Sequence, residues 1–152
     1  MPRGSRRLPD ACLRRLESAT LIVHAGDIVA ASMLEDLREL APVEAVAGNM
    51  DDAELLAVLP ERRVVEIGEA RIGLVHDAGA RVGRGERLVA AFPGCVAVVY
   101  GHTHLPEVSR AGDAWILNPG SPTERRGAPA HSMLMLEVDS PELRPELVTL
   151  SP

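Results

Sequence analysis

Two histidines one residue apart, His102 and His104, follow the apolar run Val98-Val99-Tyr100 and a glycine. At the end of an extended strand that spacing sends both side chains to one side, whereas on a helix they diverge. Imidazoles so arranged can ligate a divalent metal. The same grammar recurs along the chain: residues 21–27 end in Gly26-Asp27, residues 43–49 in Gly48-Asn49, and residues 72–76 in His76. A further apolar run ends in the polar turn Asn118-Pro119-Gly120-Ser121. Each of these residues alone has a plain explanation, as a surface-loop histidine, a turn residue after glycine or a satisfied core histidine. Together, Asp27, Asn49, His76, His102 and His104 are oxygen and imidazole donors with no thiolate among them. That set suits Mn, Fe, Ni or Zn used catalytically, not a structural cysteine site. An aspartate can bridge two ions and an asparagine can ligate through its carbonyl oxygen, leaving a position for water. His24 and His131 fall outside the pattern and read as structural.

The elements that must position these residues follow from periodicity and breakers. Leu8, Cys12, Leu13 and Leu16 share one helical face, with Pro9 suited to the first turn. A strand over 21–24 leads to Asp27, and a helix over 31–40 turns Met33, Leu34, Leu37 and Leu40 inward before Pro42 ends it. A strand over 43–46 leads to Asn49. Asp51 or Asp52 then caps a short helix carrying Leu55, Leu56 and Leu59. Residues 63–67 and 70–75, joined at Gly68-Glu69, read as a hairpin that delivers His76. The glycines at 79, 83 and 85 do not match a dinucleotide fingerprint, and 77–85 reads as a mobile loop. A helix over 86–92 and a strand over 95–100 precede the two histidines. Strands over 107–110, 114–117, 132–138 and 143–150 complete the chain. Strand ends are where α/β sheets build sites.

Composition sets the outer bounds. At 152 residues the chain is expected to form a single domain, 1–152. The hydrophobic fraction is 46% but aromatics are only 2%, so Leu, Val, Ile and Ala must fill the core. Every basic residue is Arg, which excludes a lysine phosphate loop and Schiff-base chemistry. A net charge of −6 argues against bulk nucleic-acid binding. Arg3, Arg6, Arg7, Arg14 and Arg15 make a local basic cluster that reads as a solvated face, with attraction of an anionic substrate as the alternative. Cys12 and Cys95 fit no paired motif, and no apolar run approaches a membrane span. A cytoplasmic protein is expected.

In order and spacing, Gly26-Asp27, Gly48-Asn49, His76 after a strand, Gly101-His102-Thr103-His104 and Asn118-Pro119-Gly120-Ser121-Pro122 resemble the calcineurin-like metallophosphoesterases. The likeness is to their small bacterial and archaeal phosphodiesterase branch, which includes the retromer scaffold subunit, and it spans residues 24–126. It implies a four-layer αββα sandwich of two mixed β-sheets flanked by helices, with two metal ions and a bridging water that attacks phosphorus. By position, Asp27 would bridge both ions, Asn49, His76 and His102 would complete one site, and His104 would belong to the other. Asn49 and His102 would act in catalysis. Asn49, Ser121 and Arg125 or Arg126 would bind the phosphate.

Three departures accompany the resemblance. Relatives begin with a strand ending in Asp-x-His that supplies further ligands to one ion; no such segment stands here, which predicts that a strand of roughly ten residues lies upstream of Met1 and that the strands at Leu21 and Val43 expose unpaired edges. Many relatives read His-Gly-His where this chain has His76-Asp77-Ala78. Met50 stands where distant branches carry a general-acid histidine, so esters with good leaving groups are favoured. The reading is a metal-dependent phosphodiesterase or phosphatase with manganese as the favoured ion. A binding or scaffold module that kept the fold without catalysis is the alternative. The expected partner is a small phosphate ester, with neither membrane nor nucleic acid, and a homo-oligomer stays open.

Overall fold

The computed structural model describes residues 7–151. Arg3 and Arg6 of the basic cluster, and most of the expected opening loop, lie outside the described residues. The elements run α1 (Asp10–Glu17), β1 (Ile22–His24), α2 (Ala31–Leu40), β2 (Val43–Ala45), α3 (Ala53–Val58), β3 (Arg62–Ile67) and β4 (Ala70–Val75). They continue through α4 (Arg84–Ala91), β5 (Ala97–Tyr100), β6 (Glu107–Ala111), β7 (Ala114–Asn118), β8 (His131–Asp139) and β9 (Glu142–Leu150).

Five strands form one mixed sheet in the order β3-β4-β5-β7-β6, in which β4, β5 and β7 run parallel and the two edges antiparallel. Central parallel strands are covered on both faces and therefore carry unbroken apolar runs. β5 fits: Ala97, Val98, Val99 and Tyr100 are all buried. The facing layer holds the parallel pair β1–β2 and the antiparallel pair β8–β9. Ile72, Leu74, Val99 and Leu117 of the five-stranded sheet meet Ala25, Val46 and Leu143 of that layer in one buried cluster. Trp115 ties the layers further, its Nε1 donating to the Leu143 carbonyl at 3.2 Å.

Helices close both outer faces. α4 lays Leu88 against Val75, Val98, Tyr100 and Ile116. α2 and α3 bring Leu34 and Leu55 onto Ala45 and Ile28, and α1 sets Cys12 against Met133, Val148 and Leu150. Each such buried aliphatic side chain contributes on the order of 1.5–3 kcal/mol. The result is the expected four-layer αββα order.

Among the described residues β1 pairs only with β2, and β8 only with β9. Each of these strands therefore presents one open edge. A groove of about 450 Å³ runs between them, lined by Val23 and His24 on one side and by Leu134 and Leu136 on the other.

Several local expectations are corrected. Pro9 occupies the N-cap of α1 rather than its first turn, and Leu13 does not join the Cys12 cluster. Asp52 is the cap of α3, its carboxylate accepting from Leu55 N at 2.9 Å. Leu56 turns outward and is 52% exposed, because a six-residue helix has only one buried turn to offer. The segment between His76 and α4 is anchored, not loose. Arg87 donates to the carbonyls of Ala78, Ala80 and Val82, and Arg84 donates to that of Gly79.

Candidate metal centre

Asp27, Asn49, His76 and His102 stand just beyond the carboxyl ends of β1, β2, β4 and β5. β1 and β2 are parallel to each other, as are β4 and β5, so each pair releases its loops on one side, the usual place for a site in such sheets. Asn49 Oδ1 lies 2.9 Å from His76 Nε2 and 3.2 Å from His102 Nδ1. His76 Nε2 lies 3.3 Å from His102 Nδ1 and 3.4 Å from Asp27 Oδ2. The two imidazoles meet edge to face with centroids 5.1 Å apart.

One hydrogen in this cluster is fixed by geometry. His76 Nδ1 lies 2.7 Å from the Ala25 carbonyl, which can only accept, so Nδ1 carries a hydrogen, and in the neutral ring Nε2 presents a lone pair. That lone pair faces an amide oxygen and a carboxylate oxygen. Electron-pair donors turned toward one another repel unless a hydrogen or a cation lies between them, and a divalent ion serves all of them at once. Atoms sharing an ion at about 2.0–2.2 Å sit roughly 2.8–3.5 Å from each other, and the spacings here match that range. Among the described residues no group of three or more His, Cys, Asp or Glu side chains alone forms a metal site. The set is completed by the asparagine carbonyl, and the donors then fit a divalent metal.

Close approach depends on two glycines. A Cβ on Gly48 would run into the backbone nitrogen and carboxylate of Asp27, and one on Gly26 would lie 2.6 Å from His76 Nδ1. The carboxylate of Asp27 also accepts from Met50 N at 2.8 Å, which fixes its orientation. Asp27, Val29, His102 and His104 all have positive φ, at 60°, 83°, 68° and 60°. Such conformations are costly for non-glycine residues and concentrate at functional sites.

The strand-end argument for His102 and His104 is overturned in its geometry. β5 stops at Tyr100 and both histidines are left-handed, so they do not continue an extended strand. His102 Nδ1 turns into the cluster, while His104 Nδ1 donates to the Glu124 carbonyl at 2.6 Å. His104 has its pKa lowered, first by burial and also by the charge of Arg126. Arg126 donates to the His102 carbonyl at 3.2 Å, whereas Arg125 turns to the Pro129 carbonyl at 2.9 Å. Ser121 is buried, and its hydroxyl accepts from the backbone N–H groups of Thr123 and Glu124. His24 is half-buried, with its Nδ1 out of solvent and unpartnered, and burial pushes its pKa down to about 3.

Two residues that the sequence offers only as a turn residue and a candidate helix cap prove to position the site. Asn118, wholly buried, donates from Nδ2 to the Gly101 carbonyl at 3.2 Å and to Thr103 Oγ1 at 3.1 Å, and accepts from Gly120 N at 2.9 Å. Asp51 accepts from Gly48 N at 2.7 Å and from Val29 N at 2.8 Å, joining the two loops that carry Asn49 and Asp27. The spacing Asn49-x-Asp51 was the available signal for the second.

An αββα sandwich with oxygen and imidazole donors gathered at its strand ends defines a metal-site hydrolase architecture. Residues 4–141 match the calcineurin-like phosphoesterase superfamily domain, and the chain belongs to that family. A probable metallophosphoesterase of Methanothermobacter thermautotrophicus is 35% identical over 97% of this chain and 86% of its own length. A second, from Methanocaldococcus jannaschii, is 36% identical over 87% of this chain and 68% of its own. Among solved structures, wild-type Vps29 of Entamoeba histolytica in complex with Zn²⁺ is similar at a TM-score of 0.76 with 25% identity, covering 98% of this chain and 93% of that one.

Proposed function

We propose that this phosphoesterase-family chain is a metal-dependent phosphodiesterase that hydrolyses a small phosphate ester. The observation that carries the reading is the convergence of Asp27 Oδ2, Asn49 Oδ1, His76 Nε2 and His102 Nδ1 at 2.9–3.4 Å with a lone pair pointed inward. A divalent metal bound there supplies Lewis-acid activation of water and of a phosphoryl oxygen. Zn²⁺ is supported by the zinc complex of the Entamoeba relative, and Mn²⁺ suits the same donors.

The remaining work falls to the chain's own groups. Asp27, held by Met50 N, keeps a carboxylate aimed at the donors around it. His76, oriented through Ala25, turns its Nε2 toward the other donors. The Asn49 side chain, at the open side of the cluster beside His102, can turn its amide toward a phosphate oxygen. Arg126, anchored beside His102, supplies positive charge for the diester, with Ser121 and Arg125 shaping the turn that presents it. No acid stands assigned to the leaving group, so esters of acidic alcohols react best. Cys12 and Cys95 are free of any disulfide, which suits a cytoplasmic setting, and no helix among the described residues is long and apolar enough to cross a membrane.

The test is hydrolysis of bis-p-nitrophenyl phosphate with Mn²⁺ or Zn²⁺ and with excess chelator. Turnover that needs the metal is expected. Stoichiometric metal binding without turnover would remove the enzyme reading and leave a binding module.

A further inference from the structure

The loop Gly101–Pro106 carries His102 and His104, both held at positive φ, conformations that persist only when the surroundings over-determine them. From inside, Asn118 holds Gly101 and Thr103. On the other face of the sheet a second device closes the base of the same loop. Tyr100, the residue before it, donates its phenol hydrogen to Glu107 Oε2, just after it. Ser109 Oγ donates to the other carboxylate oxygen at 2.8 Å. Arg84 donates from Nη1 to the Tyr100 hydroxyl at 3.0 Å and from Nη2 to the Gly79 carbonyl at 3.1 Å. Its guanidinium also lies 5.0 Å from the Tyr100 ring centroid. Gly79 is three residues beyond His76, and Gly101 N donates to the His76 carbonyl at 3.0 Å.

We propose that Tyr100, Glu107 and Arg84 are positioning residues of the metal centre: a hydrogen-bonded staple that locks the His102–His104 loop in its ligating conformation and ties it to the segment after His76. The staple rests on the reading of the cluster as a metal centre. None of its members touches the donor cluster; they act by closing a six-residue loop at its base. An aromatic hydroxyl on an otherwise apolar face is needed for nothing else here, since Val75, Leu88, Phe92, Val98 and Ile116 complete that cluster without a polar partner. Charged groups at both ends of the phenol, Arg84 donating and Glu107 accepting, strengthen each hydrogen bond of the series.

The experiment uses the full chain and two readouts. Tyr100→Phe keeps the buried ring and removes only the hydroxyl. In the metal-free protein, amide hydrogen exchange at Thr103, whose N–H is bonded to the Gly101 carbonyl, should quicken at least tenfold, with exchange in the β4–β5 ladder unchanged. Zn²⁺ affinity by calorimetry should fall about tenfold. Glu107→Ala should match Tyr100→Phe in both readouts. Glu107→Gln, which keeps an acceptor for the phenol, should stay within a few-fold of the parent. Unchanged Thr103 exchange in Tyr100→Phe and Glu107→Ala overturns the staple, as does a parent-like Zn²⁺ affinity in both. A parent chain that takes up no Zn²⁺, with Thr103 exchange still quickened in the variants, overturns instead the metal-centre reading on which the proposal rests.

Discussion

His76 donates its Nδ1 hydrogen to the carbonyl of Ala25, 2.7 Å away, and this one bond decides what the opposite nitrogen can do. With Nδ1 spoken for, Nε2 of the neutral ring meets Asn49 and Asp27 as a lone pair. Backbone carbonyls orient metal-bound histidines in this way, fixing the tautomer and raising the basicity of the ligating nitrogen. Ala25 can serve because Gly26 lets the chain pass close beneath the imidazole.

Removal of a donor should therefore cost metal and not fold. His102→Ala deletes a half-buried ring at a loop and is expected to lower Zn²⁺ affinity by at least a hundredfold, while His131→Ala, at the start of β8, leaves it within a few-fold. Calorimetric titration of both variants checks this. Equal losses would mean that the wrong histidines carry the site.

That Asp27, Asn49, His76 and His102 would gather was legible because each follows a short apolar run, the first two and His102 through a glycine, a pattern that survives without knowledge of neighbours. The hairpin of β3 and β4 and the span of α2 were legible for the same reason, since their breakers and periodicity are local. What holds the donors was not. Asp51 bonds Val29, 22 residues away, and Asn118 bonds Gly101, 17 residues away. A buried polar side chain announces its type in sequence but not its partner. The left-handed backbone at His102 and His104 was hidden too, because nothing in Gly-His-Thr-His itself demands it. Leu56 read as core by spacing, yet the brevity of α3 left it outside.

Asn118→Ala should destabilise the chain, because it strands Gly120 N without its acceptor and takes one of two hydrogen bonds from both the Gly101 carbonyl and Thr103 Oγ1. A buried group left unsatisfied costs about 1–3 kcal/mol. A fall in Tm of roughly 5 °C is expected, together with weaker metal binding. A variant that melts with the parent would show that water replaces these bonds freely.

Acid should unfold the protein partly through His24, whose pKa drops from 6.5 to about 3, chiefly because it is buried, with a further contribution from His76. Above pH 6.5 both folded and unfolded chains leave it neutral, and its contribution is fully retained. Below that value the unfolded chain binds a proton that the folded chain refuses until about pH 3, so stability falls as pH falls across this window. The slope is about 1.4 kcal/mol per pH unit for a full proton. Urea unfolding from pH 7 to pH 5 should show a shallower decline for His24→Gln than for the parent, by roughly 1–2 kcal/mol at the acid end. Parallel declines would place the acid sensitivity elsewhere.

Anomalous diffraction from crystals soaked in Mn²⁺, collected near the manganese edge, asks most directly whether these side chains are a metal centre. One strong peak is expected, bounded by Asp27 Oδ2, Asn49 Oδ1, His76 Nε2 and His102 Nδ1, with any second peak beside His104 weaker because only Asp27 and His104 have been assigned to it. Crystals with no peak among those four atoms, or with their strongest peak at some other place on the molecule, would contradict the account.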